Sequence, residues 1–203
     1  MHSQILQLLA SIDIYLFDQV MKGRYIPGEK ILDAGCGGGR NLPWFSTQDF
    51  ALYAVDQDPE TIEWLRFQYP DWSNVQLQVA SLEALPFESD YFDHILCSAV
   101  LHFAQSTPHF IAMLGEMIRV LKPGGSLFIR MTSDIGIEEK VILAGDGVYD
   151  LPDESRRFLL TRPLLKEILK RFPIMLLEPL KTVNVTDIRC MSTLVLGKVK
   201  REK

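Results

Sequence analysis

Glycines recur at every second position of the stretch Asp33-Ala34-Gly35-Cys36-Gly37-Gly38-Gly39, which follows the apolar pair Ile31-Leu32. This pattern predicts a buried strand that turns through glycines into a short helix starting near Asn41-Leu42-Pro43. Because glycine has no Cβ, a ligand can approach the backbone of such a turn closely, and a helix N-terminus adds free N–H groups. The turn therefore suits an anionic or nucleotide-like ligand. The alternative is a glycine turn that only reverses the chain.

The spacing of these glycines limits the kind of nucleotide that can bind. A dinucleotide fingerprint requires G-x-G-x-x-G, and Arg40 stands where the third glycine would be. A P-loop requires Gly-Lys followed by Ser or Thr, and this stretch does not contain it. A nucleotide-cofactor oxidoreductase is therefore disfavoured.

A carboxylate ends the second predicted strand. Asp56 follows the apolar stretch Phe50–Val55 and stands about 20 residues after Gly35, a separation typical of nucleotide-binding βαβ units. Its two oxygens can accept hydrogen bonds from both hydroxyls of a ribose. The alternative is an exposed acid at a strand end. The following pair Asp58-Pro59 is typical of a helix N-cap and first helical residue, so Asp58 is assigned to capping.

His102 is the titratable residue that the predicted strands place best for catalysis. It comes four residues after Ser98, which ends the fourth predicted strand, and we expect it near the rim of the site. It is either a general base or a structural histidine, and the second interpretation is favoured because the sequence supplies no obvious carboxylate to orient the ring. Paired carboxylates, a Ser-His-Asp order and metal-ligand spacing do not occur, so we expect no metal site.

Hydrophobic periodicity predicts strands that alternate with helices along the chain. Residues 3–22 indicate one or two amphipathic helices before the first strand, which either cover the sheet or close over the glycine turn. The alternation implies right-handed crossovers and a doubly wound, mostly parallel α/β sheet, with the last two strands antiparallel at one edge. After the first strand, further strands are predicted at 50–56, 75–80, 93–98, 126–131, 175–185 and 191–199, and helices at 58–69, 108–121 and 161–172.

Five stretches stand in order along the chain: Ile31–Gly39, Tyr53–Asp56, Glu83–Phe87, Phe92-Asp93 with Leu101-His102, and Arg119–Gly125. Together they resemble the class I S-adenosylmethionine (SAM)-dependent methyltransferases, of the type that acts on small molecules. The resemblance implies a single Rossmann-like domain with a seven-stranded sheet in the order 3-2-1-4-5-7-6. The continuation Gly39-Arg40-Asn41 is weakly similar to tellurite-resistance-type members.

The resemblance implies a binding site for SAM and for its product, S-adenosylhomocysteine (SAH). In this family pattern Asp33 shapes the loop and Asp56 holds the ribose. Ser81 and Leu82 stand where the family often has an acid and a small residue at the adenine edge, a departure that leaves the role of Ser81 open. The other implied contacts are Gly35 and Gly37 with backbone of Cys36 for the methionine part, Gln57 for the adenine border, and Cys97 and Ser98 for the methionine amino and carboxylate groups.

The resemblance also divides the chain. Residues 28–131 form the SAM-binding core, and residues 161–203 supply the final helix and paired strands. The N-terminal helical cap, 1–27, and an acceptor-side insertion, 132–160, lie outside the βα repeat, so we expect them to select the methyl acceptor. Phe17, Arg24 or Tyr25 is expected at the rim of the acceptor pocket, because these residues precede the first strand.

Composition bounds the function further. The 203 residues carry a net charge of −5, which disfavours a broad nucleic-acid-binding face. The sequence predicts neither a signal peptide nor a membrane-spanning run of ~18 apolar residues, and with its three widely spaced cysteines we expect a location in the reducing cytoplasm. The leading hypothesis is a SAM-dependent methyltransferase with a small-molecule acceptor; the alternative is a SAM-binding module that regulates or scaffolds a partner. The sequence indicates no oligomeric state.

Overall fold

A computed structural model describes residues 8–73 and 76–200 of the chain. The helices are α1 Ile14–Met21, α2 Leu42–Phe45, α3 Pro59–Gln68, α4 Thr107–Val120 and α5 Arg162–Arg171, with a 3-10 turn at Leu101–Phe103. The strands are β1 Lys30–Ala34, β2 Ala51–Asp56, β3 Leu77–Val79, β4 Phe92–Ser98, β5 Leu121–Ser133, β6 Ile142–Leu143, β7 Val148–Asp150, β8 Arg156–Phe158, β9 Ile174–Leu176, β10 Lys181–Val185 and β11 Arg189–Lys198.

The central sheet has the strand order β3-β2-β1-β4-β5-β11-β10, and β9 also pairs with β11. The predicted order 3-2-1-4-5-7-6 is thereby confirmed, with β11 and β10 as its seventh and sixth strands. β11 is antiparallel to both β5 and β10, and β10 lies at the edge, so the last two strands pair antiparallel at one edge of the sheet as predicted. β1 pairs in parallel with β2 and β4, so the carboxyl ends of these three strands meet at one edge, where open α/β sheets bind ligands.

Alternating strand residues divide the hydrophobic core between the two faces of the sheet. One face packs against α4 and α5, and the other packs against α1 and α2. Leu16 of α1 is fully buried, and a buried leucine contributes about 1.5–3 kcal/mol. Helix α1 therefore covers the sheet. The strand residues on the first face include Leu32, Ile95, Leu127 and Leu194, and those on the second include Ile31, Leu96, Phe128 and Val195.

The segment before α1 also reaches the glycine turn. Asp13 caps α1, and its Oδ2 accepts hydrogen bonds from Nη1 of Arg130 at 2.8 Å and from Oγ of Ser98 at 3.2 Å. The hydroxyl of Ser11 donates to the carbonyl oxygen of Arg40 at 2.9 Å. Two roles were predicted for this part of the chain, covering the sheet or closing over the glycine turn. Helix α1 covers the sheet, while the residues that precede it contact the turn.

The expectation that Phe17, Arg24 or Tyr25 forms the rim of the acceptor pocket is wrong. Tyr25 is buried in the core beside α1, and Phe17 packs against the same cluster. Arg24 pairs with Glu178 at 3.1 Å. None of the three lines the cleft at the glycine turn, because the chain between α1 and β1 runs at the opposite end of β1 from that turn.

The predicted elements agree with the structure apart from local differences, one of which is that the predicted strand 175–185 is divided into β9 and β10. β5 begins at Leu121, directly after α4, so residues 122–125 belong to the strand instead of a separate loop. Residues 3–7 of the first predicted helix and 75 of the third predicted strand lie outside the described residues. The irregular stretch 132–160 contains a small antiparallel sheet, β6-β7-β8, whose strands of two and three residues are too short to show a period.

Within residues 8–73 and 76–200, no helix is long and apolar enough to cross a membrane. Cys36, Cys97 and Cys190 are free and buried.

Candidate active site

A cleft of about 340 Å³ opens beyond the carboxyl ends of β1, β2 and β4, and we call it the main cleft. Its volume lies within the range of small-molecule sites. Five residues selected from the sequence line it: Gly35, Gly37, Asp56, Gln57 and Leu82. The lining residues that sequence reasoning did not select are Ala80, Glu83, Ala99, Val100, Phe103, Gln105, His109 and Met113.

Two glycines give the turn after β1 its shape. Gly35 and Gly37 have φ values of 73° and 50°, in the left-handed region that favours glycine. A Cβ on Gly35 would lie 2.7 Å from the side chain of Val100, so this position allows the turn to pack closely on the loop after β4. A Cβ on Gly37 would meet nothing within 4 Å. The backbone at Gly37 is therefore bare toward the main cleft, and a side chain there would fill ligand space.

Asp56 joins the end of β2 to this turn. Its Oδ2 accepts a hydrogen bond of 2.9 Å from the amide of Gly37, and its Oδ1 accepts one of 3.0 Å from the amide of Asp58. An ionised carboxylate has about four acceptor sites, so each oxygen can still accept a hydrogen bond from a ligand. The carboxylate is therefore held in place at the cleft while it keeps acceptor capacity for hydroxyl groups.

Asp33 lies in β1 and is buried, with no hydrogen-bond partner for its Oδ2 among the residues described. Burial raises the pKa of Asp33 to about 7; the nearby Arg40 opposes this shift and the Asp56 carboxylate adds to it. The side chain does not line the main cleft. Asp33 therefore lies inside the sheet just before the turn, and the pKa of its carboxyl is close to neutral.

Arg40 turns away from the main cleft. Its Nη2 donates a hydrogen bond to Oγ of Ser98 at 2.8 Å and lies 3.6 Å from Oδ2 of Asp13. The hydroxyl of Ser98 is thus used within this network. Ser98 does not line the cleft, and Cys97 is fully buried in the core, where burial raises the pKa of its thiol. The structure therefore does not bring the side chains of Cys97 and Ser98 to the cleft.

The residues that follow Ser98 reach the cleft instead. Ala99 has a φ of 66°, an uncommon conformation for a residue with a side chain, and such strain typically costs about 1–3 kcal/mol. Its amide donates to the carbonyl oxygen of Arg130 at 2.7 Å, which fixes the bend at the end of β4. The bend brings Ala99 and Val100 against the glycine turn.

Cys36 and Ser81 take different places beside the cleft. The side chain of Cys36 packs in the core, where burial raises its thiol pKa, and its amide donates to Val55 at 3.0 Å. Ser81 stands between two lining residues, Ala80 and Leu82, but does not itself line the cleft. The short helix α2 begins at Leu42, outside the cleft, so the turn backbone and not a helix N-terminus forms the cradle.

Glu83 and His109 form a hydrogen bond on the cleft wall that sequence reasoning missed. Nε2 of His109 lies 2.5 Å from Oε1 of Glu83, and Nδ1 of His109 accepts the amide hydrogen of Gln105 at 3.1 Å. Burial raises the pKa of Glu83, but a backbone hydrogen bond and His109 more than offset it, so the net shift is downward. Both ring nitrogens of His109 are therefore engaged.

His102 does not lie at the rim of the main cleft, contrary to the sequence prediction. It is 8% exposed, its ring contacts Phe103, and its Nδ1 is buried with no partner among the described residues. Burial, with the nearby Arg157 and Arg189 charges, lowers the pKa of His102 to about 4. The error arose because a position after a strand does not fix the direction in which the side chain points. In the described residues no group of three or more His, Cys, Asp or Glu side chains could hold a metal.

The fold is a Rossmann-like α/β fold with a cleft at the carboxyl ends of its parallel strands, and comparisons with known proteins show what it is similar to. Residues 32–129 match the family described as "Methyltransferase domain". The structure resembles that of Burkholderia thailandensis 1,6-didemethyltoxoflavin-N1-methyltransferase with bound 1,6-didemethyltoxoflavin and SAH, with a TM-score of 0.65, 20% identity, and coverage of 91% of this chain and 76% of that one. Residues 32–129 are therefore similar to a methyltransferase domain, and SAM is the cofactor of the class I SAM-dependent methyltransferases that the sequence motifs resemble.

Curated relatives of this chain match it over only part of their own length. The uncharacterized methyltransferase YodH of Bacillus subtilis is 35% identical over 55% of this chain and 44% of its own length. The tRNA U34 carboxymethyltransferase of Pseudoalteromonas atlantica is 30% identical over 63% of this chain and 38% of its own length. The chain thus spans less than half the length of these curated relatives.

Proposed function

We propose that this protein transfers the methyl group of SAM to a small-molecule acceptor by in-line displacement. One observation carries the proposal: the bare backbone at Gly37 and the carboxylate of Asp56 meet at the same cleft, joined by a hydrogen bond. Backbone that a ligand can approach and a fixed acceptor for ribose hydroxyls are the two features that a nucleoside-containing cofactor needs. A Cβ at Gly37 would occupy that space, so the residues present fit SAM.

Each cleft residue has a proposed role in binding SAM. Asp56 accepts from the ribose hydroxyls, and Gly35 and Gly37 border the methionine part. Gln57 and Leu82 border the adenine. Ala99 and Val100, which line the cleft, replace Cys97 and Ser98 as the residues of the β4 loop that face the methionine part. Ser81 is left without a direct contact in this proposal.

The chemistry requires little from the side chains. SAM supplies an already activated methyl group on its sulfonium. The protein must then hold the acceptor atom in line with the methyl group and exclude water. His102 is buried with its pKa lowered to about 4, so its ring is neutral at pH 7. An acceptor that needs no deprotonation does not require His102 as a base.

The net charge of the chain favours a small acceptor over a nucleic acid. The chain has a net charge of −5, and a polyanion would be repelled by it unless a local basic patch compensated. The three free, buried cysteines support a reducing compartment, and we propose the cytoplasm.

The runner-up is a SAM-binding module that regulates or scaffolds a partner without methyl transfer. SAM with a tritiated methyl group, incubated with the protein, a panel of phenols, amines, thiols and carboxylates, and separately with tRNA, distinguishes the two. We expect label on at least one small molecule and none with Gly37→Val. Label on tRNA alone would contradict the small-molecule acceptor. SAM binding without transfer to any compound or RNA would favour the runner-up.

A further inference from the structure

A second cleft of about 270 Å³ adjoins the main cleft, and we call it the arginine cleft. It lies between the 3-10 turn after β4 and strand β8 of the small sheet, and Phe103 and Gln105 line both clefts. Phe103 is 59% exposed at this junction. A molecule that binds in the arginine cleft therefore lies next to the site proposed for SAM. The residues of the arginine cleft used below are His102, Phe103, Arg156 and Arg157.

The charges around the arginine cleft leave one guanidinium without a partner carboxylate. Arg156 is held by two hydrogen bonds to Asp150, at 2.7 and 3.1 Å, and Arg189 pairs with Asp153 at 3.5 Å. Arg157 forms no ion pair with any residue in 8–73 or 76–200, but its charge, together with that of Arg189, helps to lower the pKa of Asp153, the carboxylate with which Arg189 pairs. It donates to the carbonyl oxygen of Arg156 at 2.8 Å, and its guanidinium lies 5.1 Å from the ring centroid of Phe103. The cleft therefore carries a net positive charge.

His102 adds a polar ring to the wall of the arginine cleft. The ring lines the arginine cleft, yet its Nδ1 is buried and has no hydrogen-bond partner among the described residues. Buried polar atoms in proteins are rarely left unpaired, and each exception calls for an explanation. The positive charges of Arg157 and Arg189 also act on this ring and contribute, after burial, to its lowered pKa. Such a positive potential favours an anion.

We propose that the arginine cleft binds a carboxylate group of the methyl acceptor, with Arg157 as its main ligand. A guanidinium without a carboxylate partner matches the geometry of such groups and binds them through paired hydrogen bonds. The acceptor is then an anionic small molecule whose body lies across Phe103 and whose reactive atom reaches the main cleft. This inference rests on the proposed methyl transfer, and it names the substrate class.

Benzoate and its uncharged analogue benzamide test the inference directly. Each is titrated into the SAH-saturated full chain at constant ionic strength, and binding is followed by NMR at the side-chain Nε–H of Arg157. We expect benzoate to bind at least about tenfold more tightly than benzamide, a difference of about 1.4 kcal/mol, and to shift the Arg157 resonance. Arg157→Gln should remove this preference.

Arg156→Gln is the matched control, because Arg156 is the neighbour of Arg157 on β8 and is already paired with Asp150. It should keep the preference within about twofold, and both variants should bind SAH like the wild type. Equal binding of benzoate and benzamide, absence of benzoate binding, or the same loss in both variants would overturn the inference. Failure of the chain to bind SAH would instead contradict the proposed function, and the benzoate titration of the ligand-free chain would still report on Arg157.

Discussion

The amide of Gly37 donates a hydrogen bond of 2.9 Å to Oδ2 of Asp56, so the tip of the glycine turn and the end of β2 are fixed to each other at the main cleft. The two residues are 19 positions apart in the sequence, and neither alone would indicate a ligand site. Joined, they combine a bare backbone with a carboxylate whose remaining acceptor sites can receive ligand hydroxyls.

Replacing Asp56 by Ala should weaken SAM binding by about 1.5–3 kcal/mol, the scale of a hydrogen bond to a charged group. Calorimetry measures this loss. The control is Asp58→Ala, which removes the N-cap of α3 and should cost about 1 kcal/mol of unfolding free energy while SAM affinity stays the same. Normal SAM binding by the Asp56 variant would mean that Asp56 is not the ribose ligand.

Gly37→Val should abolish SAM binding, because a branched side chain would occupy ligand space at a φ of 50° that such residues rarely adopt. Circular dichroism should show that most secondary structure is retained. Gly38→Val is the matched neighbour: a Cβ there also meets nothing within 4 Å, but Gly38 does not line the main cleft and has no positive φ. If both variants bind SAM equally well, the turn serves only chain reversal.

Asp33 should make the protein less stable as the pH rises. Its pKa is raised to about 7 in the folded chain from an unfolded value of 3.8, so between these values the folded chain binds more protons than the unfolded chain. The associated stability is complete below pH 3.8 and is lost as the pH rises through 7. Relative to wild type, Asp33→Asn should therefore gain roughly 2–3 kcal/mol in urea unfolding between pH 5 and pH 8. An equal difference at both pH values would refute this assignment.

His102→Gln should lower kcat by less than about tenfold, 1.4 kcal/mol, at saturating acceptor. The pKa of His102, lowered to about 4, keeps the ring neutral from pH 6 to 8, so the wild-type rate should show no inflection near 6.5. The pH profile and kcat of both proteins are measured with the acceptor that the panel identifies. A loss above a hundredfold with normal folding and SAM binding would establish His102 as a base.

Most of the fold and five of the thirteen residues that line the main cleft could be predicted from the sequence. The glycine turn and Asp56 were found because strand ends of a parallel sheet meet at one edge and the turn has a recognisable spacing, whereas Gln57 and Leu82 were implied by the family resemblance. The sheet β6-β7-β8 could not be predicted, since two- and three-residue strands carry no periodic signal.

The missed site residues depend on tertiary contacts. Glu83 and His109 belong to different segments, and only the fold brings His109 within 2.5 Å of Glu83. Ser98 was expected at the cleft, but its hydroxyl is held by Arg40 and Asp13, and Asp13 comes from the N-terminal segment. Such choices of partner have no signature in a single sequence.

Calorimetric titration of the full chain with SAH, and separately with NAD, tests the central claim most directly. The account predicts a micromolar Kd for SAH, about −8 kcal/mol, no detectable binding of NAD, and loss of the SAH signal in Gly37→Val. Tight binding of NAD without binding of SAH would contradict the assignment of the main cleft to SAM.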